Sequence, residues 1–133
     1  MQNDWVFDSR LSYTYQKAQD FTDKSDKDTY GEQISYIPWH SGSAILNAGY
    51  KSWELNYSFI YTGERYDVSA NTPENYRLPW YTSDFSLAKK FSWRKYDFKL
   101  TLEVNNIFNQ QYEVVRSYPM PGSNFKFILN LTI

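Results

Sequence analysis

The last stretch of the chain, Asn124 to Ile133, reads N-F-K-F-I-L-N-L-T-I. Phe125, Phe127, Leu129, Leu131 and Ile133 share one parity. Asn124, Lys126, Asn130 and Thr132 share the other, where Ile128 is the one apolar residue. Side chains alternate across a strand with period two. The pattern therefore predicts a strand with one apolar face and one mostly polar face. Five earlier stretches repeat it. Trp5 to Lys17 carries Trp5, Phe7, Leu11, Tyr13 and Tyr15 on one parity. Ser43 to Tyr50 carries Ala44, Leu46, Ala48 and Tyr50, and Trp53 to Tyr61 carries Trp53, Leu55, Tyr57, Phe59 and Tyr61. Tyr81 to Phe91 carries Phe85, Leu87 and Phe91. Asp97 to Asn105 alternates most cleanly, with Phe98, Leu100, Leu102 and Val104 against Asp97, Lys99, Thr101, Glu103 and Asn105. Period two with aromatic and β-branched content predicts strands, not helices.

Polar stretches without periodicity separate these segments and predict loops over Asp20 to Ile37, Gly63 to Pro79 and Asn109 to Ser123. Pro38 cannot occupy a central strand, so the second strand is expected to begin after it. Gly49 to Ser52 and Ser92 to Tyr96 predict short turns. The connections thus alternate long, short, long, short, long. Loops of about fifteen residues or more are uncommon in soluble domains, and the strands exceed the roughly five to six residues usual in soluble sheets. A barrel in an outer membrane has both properties, with short turns at the periplasmic end and long loops outside.

In that frame Trp53, Phe91 and Trp93 form an aromatic belt beside the short turns, and Tyr15, Tyr61, Trp80, Tyr81 and Tyr112 form one beside the long loops. Leu100, Leu102, Leu129 and Leu131 face lipid, and Glu54, Asp97, Lys99 and Glu103 face a watery lumen. The rival is a soluble β-sandwich or small barrel that binds an apolar or carbohydrate ligand, its aromatic face buried in a closed core.

Composition narrows the function classes. The 133 residues suit one domain. Fourteen Lys and Arg against fifteen Asp and Glu give a net charge of −1, with no basic footprint for nucleic acid. There is no cysteine, hence no disulfide framework and no thiolate site. One histidine, His40, reads as a strand-end rim residue and not as a metal ligand. Aromatic residues make up 20% of the chain while mean hydropathy is −0.70, so apolar residues are spread singly. No apolar run approaches the roughly eighteen residues of a transmembrane helix. The start, MQNDWVFD, lacks the basic and apolar regions of a secretory signal. The chain accordingly reads as cytosolic, as a mature product, or as a piece of a longer precursor. No Gly-rich phosphate loop or serine elbow accompanies the lone histidine, so an enzyme is not expected.

Four segments, in order, resemble TonB-dependent outer-membrane receptors. Ile37-Pro38-Trp39-His40 resembles the x-P-x-H that opens an inward strand. Tyr61-Thr62-Gly63-Glu64-Arg65-Tyr66 resembles the Y-x-G-x-R-Y that ends an outward one. Val104-Asn105-Asn106-Ile107-Phe108-Asn109 with Gln111-Tyr112-Glu113 resembles the N-L-F-[DN]-x-x-Y-[ED] segment of the penultimate strand. Pro121-Gly122 before Asn124-Phe125 resembles the P-G-R-x-[FY] that leads into the last strand. Ile133 stands where the family ends in an aromatic residue, and Ser123 where it has arginine.

The resemblance implies an all-β, antiparallel up-and-down meander of about six long strands. It would be part of a 22-stranded transmembrane barrel, with residues 1–133 as its C-terminal segment. It further implies an N-terminal plug and further strands outside this chain, and TonB acting through that missing region. Lipid would surround the wall, and the barrel-assembly machinery would read the last strand. The whole protein would sit in the outer membrane of a Gram-negative bacterium and import a ferric siderophore, haem or cobalamin, with no cofactor and no catalysis.

Arg65, Tyr66, Tyr76, Arg77, Arg116 and Tyr118 lie in the long loops, where such receptors take their ligand, and their aromatic and guanidinium groups suit a bulky one. The plainer reading of Glu64, Arg65 and Asp67 is a solvated loop. An isolated six-strand piece is expected to hide its apolar face by curling closed, by pairing with a copy of itself, or in detergent.

Overall fold

The computed structural model describes residues 4–133. In chain order the elements are β1 (Trp5–Tyr15), β2 (His40–Tyr50), β3 (Trp53–Thr62), β4 (Arg65–Tyr66), a 3-10 turn (Pro73–Asn75), β5 (Tyr76–Arg77), β6 (Trp80–Trp93), β7 (Tyr96–Asn105), β8 (Glu113–Val115), β9 (Tyr118–Pro119) and β10 (Asn124–Thr132). The six long strands form one sheet in the order β1-β2-β3-β6-β7-β10, every neighbouring pair antiparallel. This is the expected meander.

Register carries the alternation across the whole sheet. Directly paired residues share a face. One row runs Phe7, Ala48, Leu55, Leu87, Leu102, Phe127. The adjacent row runs Asp8, Asn47, Asn56, Ser86, Glu103, Lys126. A one-residue slip in any ladder would mix the two faces. The polar face satisfies itself locally. Glu54 takes Lys99 at 2.7 Å and pairs with Lys90, Asp97 accepts from the Ser92 hydroxyl at 2.6 Å, and Glu103 lies 3.8 Å from Lys126.

The apolar face is uncovered. Among the described residues Ala88 is the one buried hydrophobic side chain, whereas Leu11 is 77% and Phe127 71% exposed. A soluble sandwich or small barrel requires that face to be the inside of a core, so the soluble expectation fails. Curling closed fails too: β1 and β10 lie at opposite edges, each with one neighbour in the sheet. One polar pair on the apolar face is partnered within it: Tyr57 Oη stands 3.0 Å from the buried Ser83 hydroxyl.

Strand ends differ from expectation in ways the pairing explains. β2 begins at His40, three residues before Ser43, because Tyr15 and Thr62 extend its ladders to that end. β6 runs from Trp80 to Trp93, beyond Tyr81 to Phe91 at both ends. It meets β3 along Trp80–Lys89 but β7 along Phe85–Trp93. Its two neighbours are thus offset along it, the stagger that barrel closure demands. The turns shrink to Lys51-Ser52 and Arg94-Lys95. Each opens on a left-handed residue, Lys51 at φ 52° and Arg94 at φ 58°, a hand compatible with the twist of the flanking strands.

One contact fixes the mouth of the β2–β3 hairpin. The Gly63 amide donates to the His40 carbonyl at 2.8 Å, and a Cβ at Gly63 would stand 2.6 Å from that oxygen. The obstacle is backbone, so it cannot rotate away. Gly63→Ala is expected to cost about 1–3 kcal/mol, read as a lowered urea midpoint of the intact protein in detergent, with Gly49→Ala, where the space is ordinary, as the control.

Candidate functional site

All three long connections emerge at the same end of the sheet, above Tyr15, His40, Thr62, Trp80, Asn105 and Asn124. They interlock. In the first, the Gln16 amide reaches Trp39 O at 2.9 Å and a bridge joins Gln19 to Gln33. The second carries the β4–β5 ribbon, the third the β8–β9 ribbon. The first holds the second through Asn71. Its Oδ1 accepts from the Gln33 amide at 2.7 Å and its Nδ2 donates to Gln33 O at 3.1 Å. The Tyr36 amide donates to Tyr66 O at 2.8 Å. Tyr36 sits at φ 60°, so its placement is set by that loop contact and not by intrinsic preference.

Arg65 and Asp67 join the second loop to the third. Arg65 is only 3% exposed, and its Nη2 donates to Glu113 O at 2.8 Å and Val114 O at 3.2 Å. Burial pulls its pKa below the usual guanidinium value. Guanidinium still remains a cation at any working pH. Asp67, 6% exposed, accepts from Arg77 Nε at 2.8 Å and lies 3.5 Å from Arg116 Nη1. These two charges are buried, so the solvated-loop reading is corrected for Arg65 and Asp67, where carbonyls of the third loop and guanidinium groups of the second and third replace water, and holds for the exposed Glu64. Arg65 Nη1 and Asp67 Oδ1 have no protein partner, which leaves the cluster spare hydrogen-bonding capacity.

Asn106 organises the third loop. It is 4% exposed and left-handed at φ 50°, a conformation asparagine tolerates. Its Nδ2 donates to Gln110 O (2.9 Å) and Pro121 O (3.2 Å), and its Oδ1 accepts from the Gln110 amide (2.9 Å). Its own amide donates to Asp84 Oδ1 at 2.7 Å, and its carbonyl accepts from the Ser123 hydroxyl at 2.6 Å. The loop is thereby tied to β6 and to the start of β10.

A cleft of about 440 Å³ opens between the second and third loops. Tyr76, Arg77, Trp80, Gln111, Tyr112 and Pro119 line it. Trp80 stacks on Tyr112 at 4.5 Å between ring centroids. Burial raises the phenol pKa of both Tyr76 and Tyr112, helped by the nearby carboxylates of Glu64 and Asp84 respectively. Both therefore present neutral hydroxyls near neutrality.

The six candidate residues are thus all in the cap, but they do not share one role. Tyr118 is 71% exposed and Arg116 projects with about half its side chain free. Tyr76 packs edge-on against Tyr66 at 5.7 Å and also faces the cleft. Arg77 lies between the cleft and Asp67. Arg65 points inward and serves the cap's own structure. His40 caps β2 at the rim, its Nδ1 2.7 Å from the Tyr13 hydroxyl. Sequence reasoning missed the connecting roles of Asn71 and Asn106. Asn106 sits in the resembling N-N-I-F segment, which was a usable signal; Asn71 carried none.

The profile of the family described as TonB dependent receptor-like, beta-barrel, matches residues 1–107. The chain belongs to that family. The matched residues run from β1 through β7, and β10 continues the same sheet beyond them by pairing with β7. No curated protein matches the chain. TonB-dependent receptors are outer-membrane transport receptors, not enzymes, built from a barrel and a plug. In this receptor barrel the long-loop end is the interlocked cap just described.

Proposed function

We propose that this chain is the C-terminal wall segment of an outer-membrane receptor that imports a large, scarce ligand, a ferric siderophore, haem or cobalamin. TonB energises import through a plug supplied by another part of the receptor. The observation that carries the reading is the pairing of an uncovered apolar face with a polar one across all six strands, capped at one end by three loops that hold each other. The wall strands face lipid outside and the plug inside. The cap holds aromatic and cationic groups at fixed positions, so less ordering entropy is lost when a ligand docks. Tyr76, Arg77, Arg116 and Tyr118 present the recognising surface, with Tyr66 supporting Tyr76 and Arg65 holding the loops together.

The test uses cells in which the intact receptor is the only route for each ligand. Uptake of one of the three is expected to depend on the receptor. Tyr118→Ala and Arg116→Ala each weaken its binding by roughly five-fold or more. Deleting TonB is expected to abolish uptake and leave surface binding intact. Unaltered binding in both loop variants, or uptake that persists without TonB, would sink the proposal.

A further inference from the structure

The short-turn end carries a second pattern. Four cations there each lie over an aromatic ring of the apolar face. Lys51 Nζ is 5.2 Å from the Tyr50 ring centroid, Lys89 Nζ 4.4 Å from Trp53, Arg94 Cζ 5.3 Å from Trp93 and Lys95 Nζ 5.3 Å from Tyr96. Register assigns these rings to the outward face: Tyr50 pairs with Trp5 and Trp53, and Trp93 pairs with Tyr96. Lys89 is itself an outward residue, since it pairs with Trp53 on one side and Leu100 on the other. Its ammonium bends to the turn and donates to Ser52 Oγ at 2.7 Å.

Among the described residues none of the four makes a salt bridge, whereas Lys90 and Lys99, on the polar face of the same region, share Glu54. The opposite end of the sheet shows one such arrangement, Lys17 over Trp39 at 5.2 Å. Long cationic side chains run their stems along apolar surface and set their heads at the interface, and aromatic rings occupy the same level. Among the described residues no carboxylate forms a salt bridge with this belt.

We propose that this belt is a docking surface for the phosphate headgroups of anionic glycerophospholipids in the leaflet at the short-turn end, with Lys89, Ser52 and Trp53 as its most built position. Charge complementarity selects the occupant. Four cations that make no salt bridge among the described residues, spread along a lipid-facing rim, fit a row of phosphodiesters, and the rings beneath them fit the glycerol and upper acyl chains. The inference rests on the wall reading above.

The experiment reconstitutes the intact receptor in bilayers and measures, by electron paramagnetic resonance, the boundary selectivity for spin-labelled phosphatidylglycerol over phosphatidylcholine. The wild type is expected to prefer phosphatidylglycerol. Each single neutral variant loses up to roughly five-fold of that preference, Lys89→Gln most of all. Lys51→Gln, Lys89→Gln, Arg94→Gln and Lys95→Gln together abolish it. Lys90→Gln and Lys99→Gln leave it unchanged. No preference in the wild type, preference kept in the fourfold variant, equal loss from the polar-face variants, or stronger retention of lipopolysaccharide would each overturn the proposal. Nitroxides at Leu100→Cys and Lys99→Cys separate the two readings. Oxygen accessibility at Leu100 and water accessibility at Lys99 uphold the wall, so that a missing headgroup preference then counts against the belt alone. The reverse pattern removes both.

Discussion

Asp67→Ala is expected to loosen the second loop, with its weaker tie to Arg116 of the third, while the sheet stays folded. Asp67 is buried, and two arginines from different parts of the cap converge on its Oδ2, Arg77 and Arg116. Removing the carboxylate leaves the less exposed guanidinium, Arg77, without its ion pair in a poorly solvated position. Breaking a buried pair from one side costs about 3 kcal/mol or more. Arg116 is half-exposed and contributes little to that figure. The cost falls on loop closure and not on the strands, because no strand ladder uses Asp67. Hydrogen exchange on the intact receptor reads it directly. Amides of the cap, including those of Tyr36 and Asp67 itself, which bond Tyr66 O and Asn75 O, are expected to exchange roughly 100-fold faster. Amides of β2, β3 and β6 keep their protection. Uniform loss across cap and strands would show that the cluster supports the wall and not the loops.

Asn106→Ala is the second large effect, and its target is the third loop. The substitution removes two donors and one acceptor and leaves Gln110 O, Pro121 O and the Gln110 amide without those bonds. The two Gln110 groups are part-buried, and each such group left unsatisfied costs about 1–3 kcal/mol, whereas Pro121 is exposed and its carbonyl can turn to water. Alanine also resists the left-handed conformation that asparagine accepts here. A total loss of about 3 kcal/mol or more is expected, seen as a lower unfolding midpoint in detergent. Asn106→Gly separates the causes: it relieves the backbone and still loses the bonds, so most of the loss should remain. Near-complete rescue by glycine would show that backbone conformation, and not the hydrogen bonds, is what Asn106 provides.

The wall was legible because its physics is written in one dimension. Alternation in Asp97–Asn105 and Asn124–Thr132 needs only period two, and each paired row inherits the parity of its members. The stretches that misled carry their information in three dimensions. Lys51 and Arg94 adopt a left-handed backbone without being glycine or asparagine, so nothing in Gly49–Ser52 or Ser92–Tyr96 marked where the turn would tighten. β4, β5 and β9 are two residues each, too short for any period to show. Arg65 had the right residue type for ligand capture. Only the folded cap turns its guanidinium onto the Glu113 and Val114 carbonyls. Gly63, singled out as part of a resembling motif, now has a physical reason: the His40 carbonyl occupies the place of a side chain. The aromatic belt beside the short turns was legible; the cations resting on it were not, because nothing in spacing says that Lys89, on the apolar parity, bends back to Ser52.

The order β1-β2-β3-β6-β7-β10 has a kinetic side. Each ladder joins long strands consecutive in the chain, so no pairing waits for a distant segment to arrive. Loop closure grows only slowly more costly with length, so even the long connections add modest barriers. Such a surface can be extended one hairpin at a time. Gaining or losing a hairpin changes the perimeter and leaves the register of the others untouched. A close-packed interior has no equivalent freedom. For this wall, circumference is an adjustable quantity, and duplication of a hairpin-sized piece of gene is a sufficient means of adjusting it.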